Sequence, residues 1–217
     1  MREFDYSRVP HYKFYRFATT VFGPLFKGLY HLKYKNLENV PKNNKNYIVA
    51  INHTCALDPV FVALADGIPA LHFMAKVELF KNPVVAWVIT HLYGFPVKRG
   101  QGDTSAVDYA KKIIAENHVL AICPEGRRVK DKDGVPQKAK TGVARIAKAT
   151  GASILPVAIC ADRKITRGVP VTVVFGKPLT LEELGLTQEC EKEHYRAAAD
   201  KVMEAITAMR ESELNGN

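Results

Sequence analysis

The sequence predicts one α/β domain in which helices cover a mixed, largely parallel sheet, preceded by an N-terminal amphipathic helical segment that docks on a membrane. From residue 46 onward, short β-branched or apolar runs alternate with helical patterns, as in sheets whose strands are joined by helices. A chain of 217 residues that is 47% hydrophobic suits one core of ordinary size. We therefore divide the chain into an N-terminal segment, residues 1–35, and an α/β domain, residues 36–217.

Strands and helices are predicted in alternation along the domain. The strands are expected at residues 47–51, 71–75, 95–98, 119–123, 154–159 and 171–175. The helices are expected at residues 59–65, 83–91, 104–116, 140–150 and 191–210. Because open α/β sheets bind ligands beyond the carboxyl ends of their strands, functional residues are expected where strands end.

A helical apolar face precedes the predicted sheet. Its members recur at three-and-four spacing: Phe14, Phe17, Ala18, Val21, Phe22, Leu25, Phe26 and Leu29. Tyrosine, lysine and arginine flank this face, which is typical of helices that lie in a membrane interface. A helix packed on the core has the same pattern, so both interpretations stay open. Gly23 and Pro24 predict two short helices or one kinked helix.

The net charge of +9 is unevenly distributed. Residues 1–35 carry seven Lys and Arg against two Asp and Glu, residues 98–148 carry twelve against six, and residues 181–217 carry four against nine. Two basic regions and an acidic tail indicate an anionic partner, such as phospholipid headgroups, a phosphorylated substrate or an acidic carrier, and not nucleic acid. The four cysteines have no C-x-x-C spacing, which argues against a zinc site and favours a reducing cytoplasm. No apolar run reaches the roughly 18 to 20 residues of a transmembrane helix.

A histidine and an aspartate follow the first strand of the predicted domain. Asp58, before Pro59, is expected to be a helix N-cap, and His53 lies in the turn before it. A tight turn would fold the carboxylate back to the imidazole, which fixes the ring tautomer and stabilises the imidazolium. His53 is therefore a candidate general base, although a capping aspartate and a hydrogen-bonded loop histidine explain the same residues.

Cations and glycines end two further predicted strands, at the same sheet edge as His53. These motifs are Lys98-Arg99-Gly100 and Glu125-Gly126-Arg127-Arg128. One interpretation is a phosphate site, because the guanidinium group of arginine can donate two parallel hydrogen bonds to phosphate oxygens. The alternative interpretation is an exposed basic rim without a ligand. Glu125 is either a group of the active site or an ion-pair partner that shapes its loop. Lys140, at the start of a predicted helix, adds a cation for an anionic ligand.

Together these segments resemble the glycerolipid acyltransferase family, of the bacterial 1-acylglycerol-3-phosphate acyltransferase type, over about residues 36–180. Four motifs occur in the family's order: Asn52-His53 with Asp58-Pro59, Val97-Lys98-Arg99-Gly100, Pro124-Glu125-Gly126 with Arg128, and Leu155-Pro156-Val157. Further matches are Lys76 with Glu78-Leu79, and Lys140 with Gly142. The chain departs from the family at Arg127, where Thr is common, and at Val129, where Ser is frequent, which bears on the headgroup preference.

The resemblance implies an O-acyltransferase of phospholipid biosynthesis. Such an enzyme moves a fatty acyl group from acyl-CoA or acyl carrier protein to the sn-2 hydroxyl of 1-acylglycerol 3-phosphate, giving phosphatidate. His53 would remove the hydroxyl proton and Asp58 would orient its ring. The implied substrate-binding residues are Lys98, Arg99, Gly100, Glu125, Gly126, Arg128 and Lys140. We expect no metal, no cofactor beyond the acyl thioester, and a peripheral location on the cytoplasmic face of a membrane.

Three alternatives remain open. The acceptor could be another lysophospholipid or glycerol 3-phosphate, or the chain could be a non-catalytic lipid-binding protein that docks on membranes. A thioester hydrolase or acyltransferase that uses Cys55 or Cys123 is a further alternative, although no G-x-S-x-G motif is present. An acyl chain would need an apolar tunnel, for which we consider Val84, Val85 and Trp87, which are core candidates first.

Overall fold

A seven-stranded sheet with helices on both faces forms the protein. The structure is a computed structural model that describes residues 4–9, 13–42, 46–98, 103–128, 138–187 and 189–216. The strands are β1 (Lys33–Lys35), β2 (Tyr47–Ile51), β3 (Leu71–Lys76), β4 (Gly94–Val97), β5 (Val119–Ile122), β6 (Ser153–Cys160) and β7 (Thr172–Phe175). The helices are α1 (Lys13–Leu29), α2 (Asp58–Ala63), α3 (Pro83–His91), α4 (Thr104–Ala115), α5 (Gly142–Thr150) and α6 (Lys192–Asn215). Short 3-10 helices occur at Leu37–Asn39 and Val77–Lys81.

The sheet is mixed and mostly parallel, which confirms the predicted α/β class. Its strand order is β1-β7-β6-β2-β5-β3-β4. Strands β2 to β6 run in one direction, whereas β7 is antiparallel to β6 and β1 is parallel to β7. The edge strand β1 was not predicted, because its sequence, Lys33-Tyr34-Lys35, is short and its two lysines are exposed. The predicted division at residues 35 and 36 falls directly after this strand and stays a prediction.

The connections explain which helices share a face of the sheet. From β2 the chain moves through α2 and α3 toward β4, and it then returns through α4 and α5 to β5 and β6. Because crossover connections are right-handed, opposite directions of travel place their helices on opposite faces. The two apolar clusters agree, since one contains side chains of α4, α5 and α6 and the other contains side chains of α2. A topological switch point therefore lies between the neighbouring strands β2 and β5.

Strand β2 is buried on both faces, as expected for a central parallel strand. Ile48 and Ala50 join the cluster that contains α4, α5 and α6, whereas Tyr47, Val49 and Ile51 join the other. This alternation between the two clusters holds the carboxyl end of β2 rigidly in the middle of the sheet. The turn that carries His53 starts from this fixed position.

The N-terminal helix α1 is one helix and not two, with Pro24 inside it. An interior proline removes one helical hydrogen bond and its ring crowds the carbonyl four residues earlier, so the helix continues where packing on a supporting surface compensates. Gly23 provides that support: it is buried, and a Cβ there would lie 3.0 Å from Leu64 Cδ2. Across the described ranges, no helix is both long and apolar enough to cross a bilayer.

Candidate active site

The turn after β2 is tied to the neighbouring strand by Asn52. Its side-chain oxygen accepts from the Ile159 backbone N–H at 2.7 Å, and its amide nitrogen donates to the Ile159 carbonyl at 3.1 Å. Asn52 is fully buried, so both of these bonds form away from water. They extend the pairing of β2 with β6 by one residue and fix the backbone from which the His53 side chain projects.

His53 and Asp58 are in direct contact. The Nδ1 atom of His53 lies 2.8 Å from Oδ2 of Asp58. Asp58 is completely buried and the His53 side chain is 11% exposed. A carboxylate at this distance holds the ring proton on Nδ1, which leaves Nε2 as the nitrogen that can accept a proton. The predicted fold-back of the turn is therefore confirmed.

The expected N-cap role of Asp58 is wrong. Leu57 occupies the N-cap position, and no side chain caps the start of α2. The Asp58 carboxylate instead turns back into the preceding loop, where Oδ2 accepts from the backbone N–H groups of Thr54 at 2.8 Å and Cys55 at 2.9 Å. A fully buried carboxylate needs several donors to remain charged, and this loop supplies them together with the His53 ring.

Thr54 and Cys55 also bind Asp58 through their side chains, which the sequence did not reveal. The Thr54 hydroxyl donates to Oδ1 at 2.6 Å, and Sγ of Cys55 lies 3.3 Å from the same oxygen. Burial, followed by the nearby Asp58 charge, raises the pKa of the Cys55 thiol to about 12. A thiol that stays protonated at neutral pH is a poor nucleophile, which argues against a mechanism that uses Cys55.

Glu125 reaches the same turn from the end of β5. Its Oε2 accepts from the backbone N–H of His53 at 2.8 Å, and the residue is only 3% exposed. The bond joins residues 72 positions apart in the sequence, across the switch point between β2 and β5. Glu125 thus helps to place His53, a contact that its sequence motif did not specify. The predicted role of Glu125 in shaping the acceptor site stays a prediction.

Gly126 and Lys140 form the next part of this edge. Gly126 has φ of +69°, and a Cβ there would lie 3.1 Å from Cδ of Lys140. The backbone N–H of Lys140 donates to the Pro124 carbonyl at 2.8 Å, which brings its side chain over the glycine. The left-handed backbone and the close lysine both explain why glycine follows Glu125. An exposed ammonium group therefore lies beside the buried Glu125.

The structure describes some of the other predicted cations. Lys98 follows β4 at the same edge of the sheet and is exposed, and its backbone N–H donates to Asp103 at 2.8 Å. Arg127 and Arg128 are exposed after β5, as a basic rim requires. Arg99, Gly100 and Val129 lie outside the described residues. The structure thus brings together His53, Asp58, Glu125, Gly126 and Lys140, and leaves the contribution of Arg99 a prediction.

Val84, Val85 and Trp87 are not core residues. They lie on the outer side of α3, and all three are exposed. The expectation failed because apolar composition does not tell an inner helix face from an outer one when nearly every position is apolar. They also do not line an enclosed tunnel around the His53 turn.

Comparison with known proteins identifies the family. A family model described as Acyltransferase matches residues 31–160, which include β2, β5 and the whole His53 turn. The chain belongs to the acyltransferase family. The resemblance that the four motifs indicated is therefore confirmed.

Two bacterial relatives in this family have the same name. The 1-acyl-sn-glycerol-3-phosphate acyltransferase of Streptococcus pneumoniae is 29% identical over 155 residues, which are 70% of this chain and 56% of that protein. The protein of the same name from Bacillus subtilis is 27% identical over 171 residues, which are 77% of this chain and 82% of that protein. The chain thus spans little more than half of the pneumococcal relative.

A solved structure in the family has a similar fold. The crystal structure of the 1-acyl-sn-glycerophosphate (LPA) acyltransferase, PlsC, from Thermotoga maritima aligns with a TM-score of 0.65 and 26% identity. The alignment covers 86% of this chain and 73% of that one. The likeness extends well beyond the motifs to the sheet and its covering helices.

Proposed function

We propose that this acyltransferase-family protein transfers a fatty acyl group from an acyl thioester to the sn-2 hydroxyl of 1-acylglycerol 3-phosphate, giving phosphatidate. The contact of His53 Nδ1 with Asp58 Oδ2 at 2.8 Å, at the switch point of the sheet, carries the proposal. The names of the relatives supply the acceptor, and acylation of its free hydroxyl gives phosphatidate. Another lysophospholipid or glycerol 3-phosphate remains the alternative acceptor.

His53 acts as the general base in this reaction. Its Nε2 takes the proton of the acceptor hydroxyl while that oxygen attacks the thioester carbonyl carbon. The C–S bond then breaks, and the proton on Nε2 passes to the leaving sulfur. Asp58 stabilises the imidazolium that exists between these two proton transfers. No covalent acyl-enzyme, metal or bound cofactor takes part.

The acceptor phosphate binds to the basic groups of the same edge. Arg99 is the principal ligand, assisted by Lys98, Arg128 and Lys140, because guanidinium and ammonium groups make charge-assisted hydrogen bonds to phosphate. The exposed ammonium of Lys140 lies 3.5 Å from the Cβ position of Gly126, next to the residue that holds the His53 backbone. A phosphate bound there leaves the glycerol hydroxyls close to His53.

The protein works as a peripheral enzyme on the cytoplasmic face of a membrane, where its lysolipid acceptor resides. The outer side of α1 exposes Phe17, Val21, Phe22 and Leu25, and its charged residues are all cations. Such a face inserts its apolar side chains below the headgroups while lysine and arginine meet anionic lipid. The donor is acyl-CoA or acyl carrier protein. Both carriers are anionic, so the basic regions of the protein would attract either of them.

A matrix of purified donors and acceptors tests the proposal, with thiol release and lipid products measured by mass spectrometry. We expect phosphatidate from 1-acylglycerol 3-phosphate and an acyl thioester, and loss of turnover by at least about 10³-fold in His53→Ala. The matched control is His31→Asn, because His31 is exposed at φ of +43°, a conformation that asparagine tolerates. Near-normal turnover of His53→Ala contradicts the proposed base.

A further inference from the structure

The described part of the chain exposes nine large hydrophobic side chains, and all of them lie in α1, α3 or the 3-10 turn before α3. They are Phe17, Val21, Phe22, Leu25, Leu79, Val84, Val85, Trp87 and Val88. Leu25 is 63% exposed, Val84 70% and Trp87 50%. Single exposed apolar residues are ordinary, but a cluster confined to one region marks an interaction site.

Aromatic contacts join α1 and α3 into one surface. The Phe14 ring lies edge-on to Trp87 with 5.0 Å between ring centroids, and Trp87 stacks on His91 at 4.2 Å. The next residue of α1, Tyr15, has its ring centroid 5.1 Å from that of Tyr93, which follows α3. The outward apolar side chains of the two helices therefore form one continuous region, which we call the α1–α3 surface.

Helix α3 has no charged Lys, Arg, Asp or Glu anywhere in its sequence, Pro83–His91. Its inner side already packs on the sheet, since Ile89 and Phe73 occupy the space over Gly94. Four outward positions are nevertheless valine or tryptophan, and valine is no better than polar residues at stabilising a helix. Neither helix propensity nor packing inside the protein explains these outward residues. Contact with an apolar environment outside the protein does explain them.

The charges around the α1–α3 surface are those that anionic lipid would attract. Exposed Lys13 and Arg16 begin α1, and Lys81 precedes α3. Neither helix contains an acidic residue, and Glu78 in the 3-10 turn pairs with Lys76 at 3.0 Å. An apolar centre with a cationic rim fits the interfacial region of a bilayer with negative headgroups.

We propose that α3 inserts into an anionic bilayer surface beside α1, so that a helix of the catalytic core forms half of the membrane-binding face. This inference rests on the proposed function, whose acceptor is a membrane lipid. Strand β3 ends at the same sheet edge as the His53 turn, and the 3-10 turn leads from it into α3. Insertion of Leu79 and Val84 therefore places the lipid surface near the site.

Trp87 is the only tryptophan of the chain, so its fluorescence reports on α3 without any label. We expect its emission to shift to the blue with vesicles of phosphatidylglycerol and phosphatidylcholine, and to be quenched when the lipid acyl chains are brominated. Vesicles of phosphatidylcholine alone should give a much weaker effect. Vesicle binding with unchanged and unquenched Trp87 emission overturns the proposal, because α1 then docks without α3.

A variant with Val84, Val85 and Val88 replaced by Ser tests the energetic contribution of α3. Flotation with the same vesicles should show binding weakened by about tenfold or more, since three apolar side chains no longer enter lipid. Ala208→Ser, on the exposed side of α6, is the matched control. Equal vesicle binding of the triple variant and the wild type refutes the proposal. A wild-type dimer that the triple substitution dissociates also refutes it, because a second copy of the chain then covers this surface.

Failure of the proposed function is distinguished by a separate assay. Transfer to a short-chain acceptor below its micelle concentration needs no membrane, so the triple variant should retain wild-type turnover with it. If no acceptor is acylated and Trp87 still enters lipid, the reaction is wrong and the docking surface stands. If turnover with the soluble acceptor is normal and Trp87 stays out of lipid, the reaction stands and the docking surface is wrong.

Discussion

Replacing Asp58 by Asn removes the negative charge beside His53 and keeps the shape of the side chain. Oδ2 accepts from His53 Nδ1 and from the backbone of Thr54 and Cys55 at 2.8 to 2.9 Å. The asparagine carbonyl should occupy this position, because backbone N–H groups cannot rotate away. Its NH₂ group then faces the Thr54 hydroxyl, which can rotate to accept. The Cys55 backbone N–H, which also donates to Asp58 Oδ1 at 3.1 Å, keeps its 2.9 Å bond to the carbonyl oxygen at the Oδ2 position. We therefore expect the variant to fold.

The loss of the Asp58 charge should lower the rate of the chemical step. An imidazolium and a carboxylate about 4 Å apart between charge centres attract by about 4 kcal/mol at an effective dielectric constant near 20. A neutral amide acceptor recovers about 1 kcal/mol of this as an ordinary hydrogen bond. The remaining difference of about 3 kcal/mol corresponds to a fall in kcat of about 10²-fold.

The assay is thiol release at saturating donor and acceptor, with circular dichroism to establish that the variant is folded. Asp108→Asn is the matched control, since its carboxylate is 68% exposed and pairs with Lys111 in the next turn of α4. A folded Asp58→Asn protein with kcat within fivefold of wild type would refute the argument that this charge stabilises His53 during turnover.

Three other predictions follow from the same edge of the sheet. Glu125→Ala leaves the buried His53 N–H without its acceptor and should lower the free energy of unfolding by about 1–3 kcal/mol. Glu125→Gln keeps an acceptor and should retain at least about tenfold more activity than the Ala variant. Equal kcat in the two variants contradicts a positioning role. Gly126→Ala meets a φ of +69° and the Lys140 side chain, and should lower the free energy of unfolding by about 1–2 kcal/mol in urea titrations; an unchanged midpoint contradicts this strain. Cys55 should resist iodoacetamide at pH 8, because burial raises its folded-state pKa to about 12, above the value of the unfolded thiol. Its contribution to stability is therefore present at neutral pH and is lost as pH rises from about 9 to 12. Rapid alkylation at Cys55 itself in the folded protein at pH 8, mapped by peptide mass spectrometry because three other thiols are free, contradicts the shift.

Much of the fold was predictable because its signals are local. The bounds of β2 and α3 were predicted without error, and the other predicted strands agree within about two residues. Periodicity failed at β1, whose three residues carry two exposed lysines. At Gly23 and Pro24 the sequence left two short helices or one kinked helix open, and the structure has one helix that packs on Leu64. Both outcomes have one cause, since partners far away in the sequence supplied the stabilisation that the local pattern lacked.

The sequence predicted which residues form the site better than it predicted the hydrogen bonds between them. Spacing alone suggested that the Asp58 carboxylate would return to His53, because both lie in one short turn. The N-cap prediction for Asp58 failed because the same carboxylate has a choice of backbone donors, and those of Thr54 and Cys55 face it in the folded turn. The strand-end rule predicted that Glu125 would share an edge with His53, but the bond between them depends on β2 and β5 being neighbours.

The sequence by itself determined the α/β class, the motif residues, the His53–Asp58 turn and the family, because periodicity, turn chemistry and motif spacing are properties of short stretches of chain. Only the tertiary structure decided that Glu125 holds the backbone of His53, that Lys140 lies over Gly126, and that the apolar residues of α3 face outward beside α1. Each of these depends on which strands are neighbours and which helices share a face of the sheet. Such relations join residues that are far apart in the chain, and local pattern does not encode them.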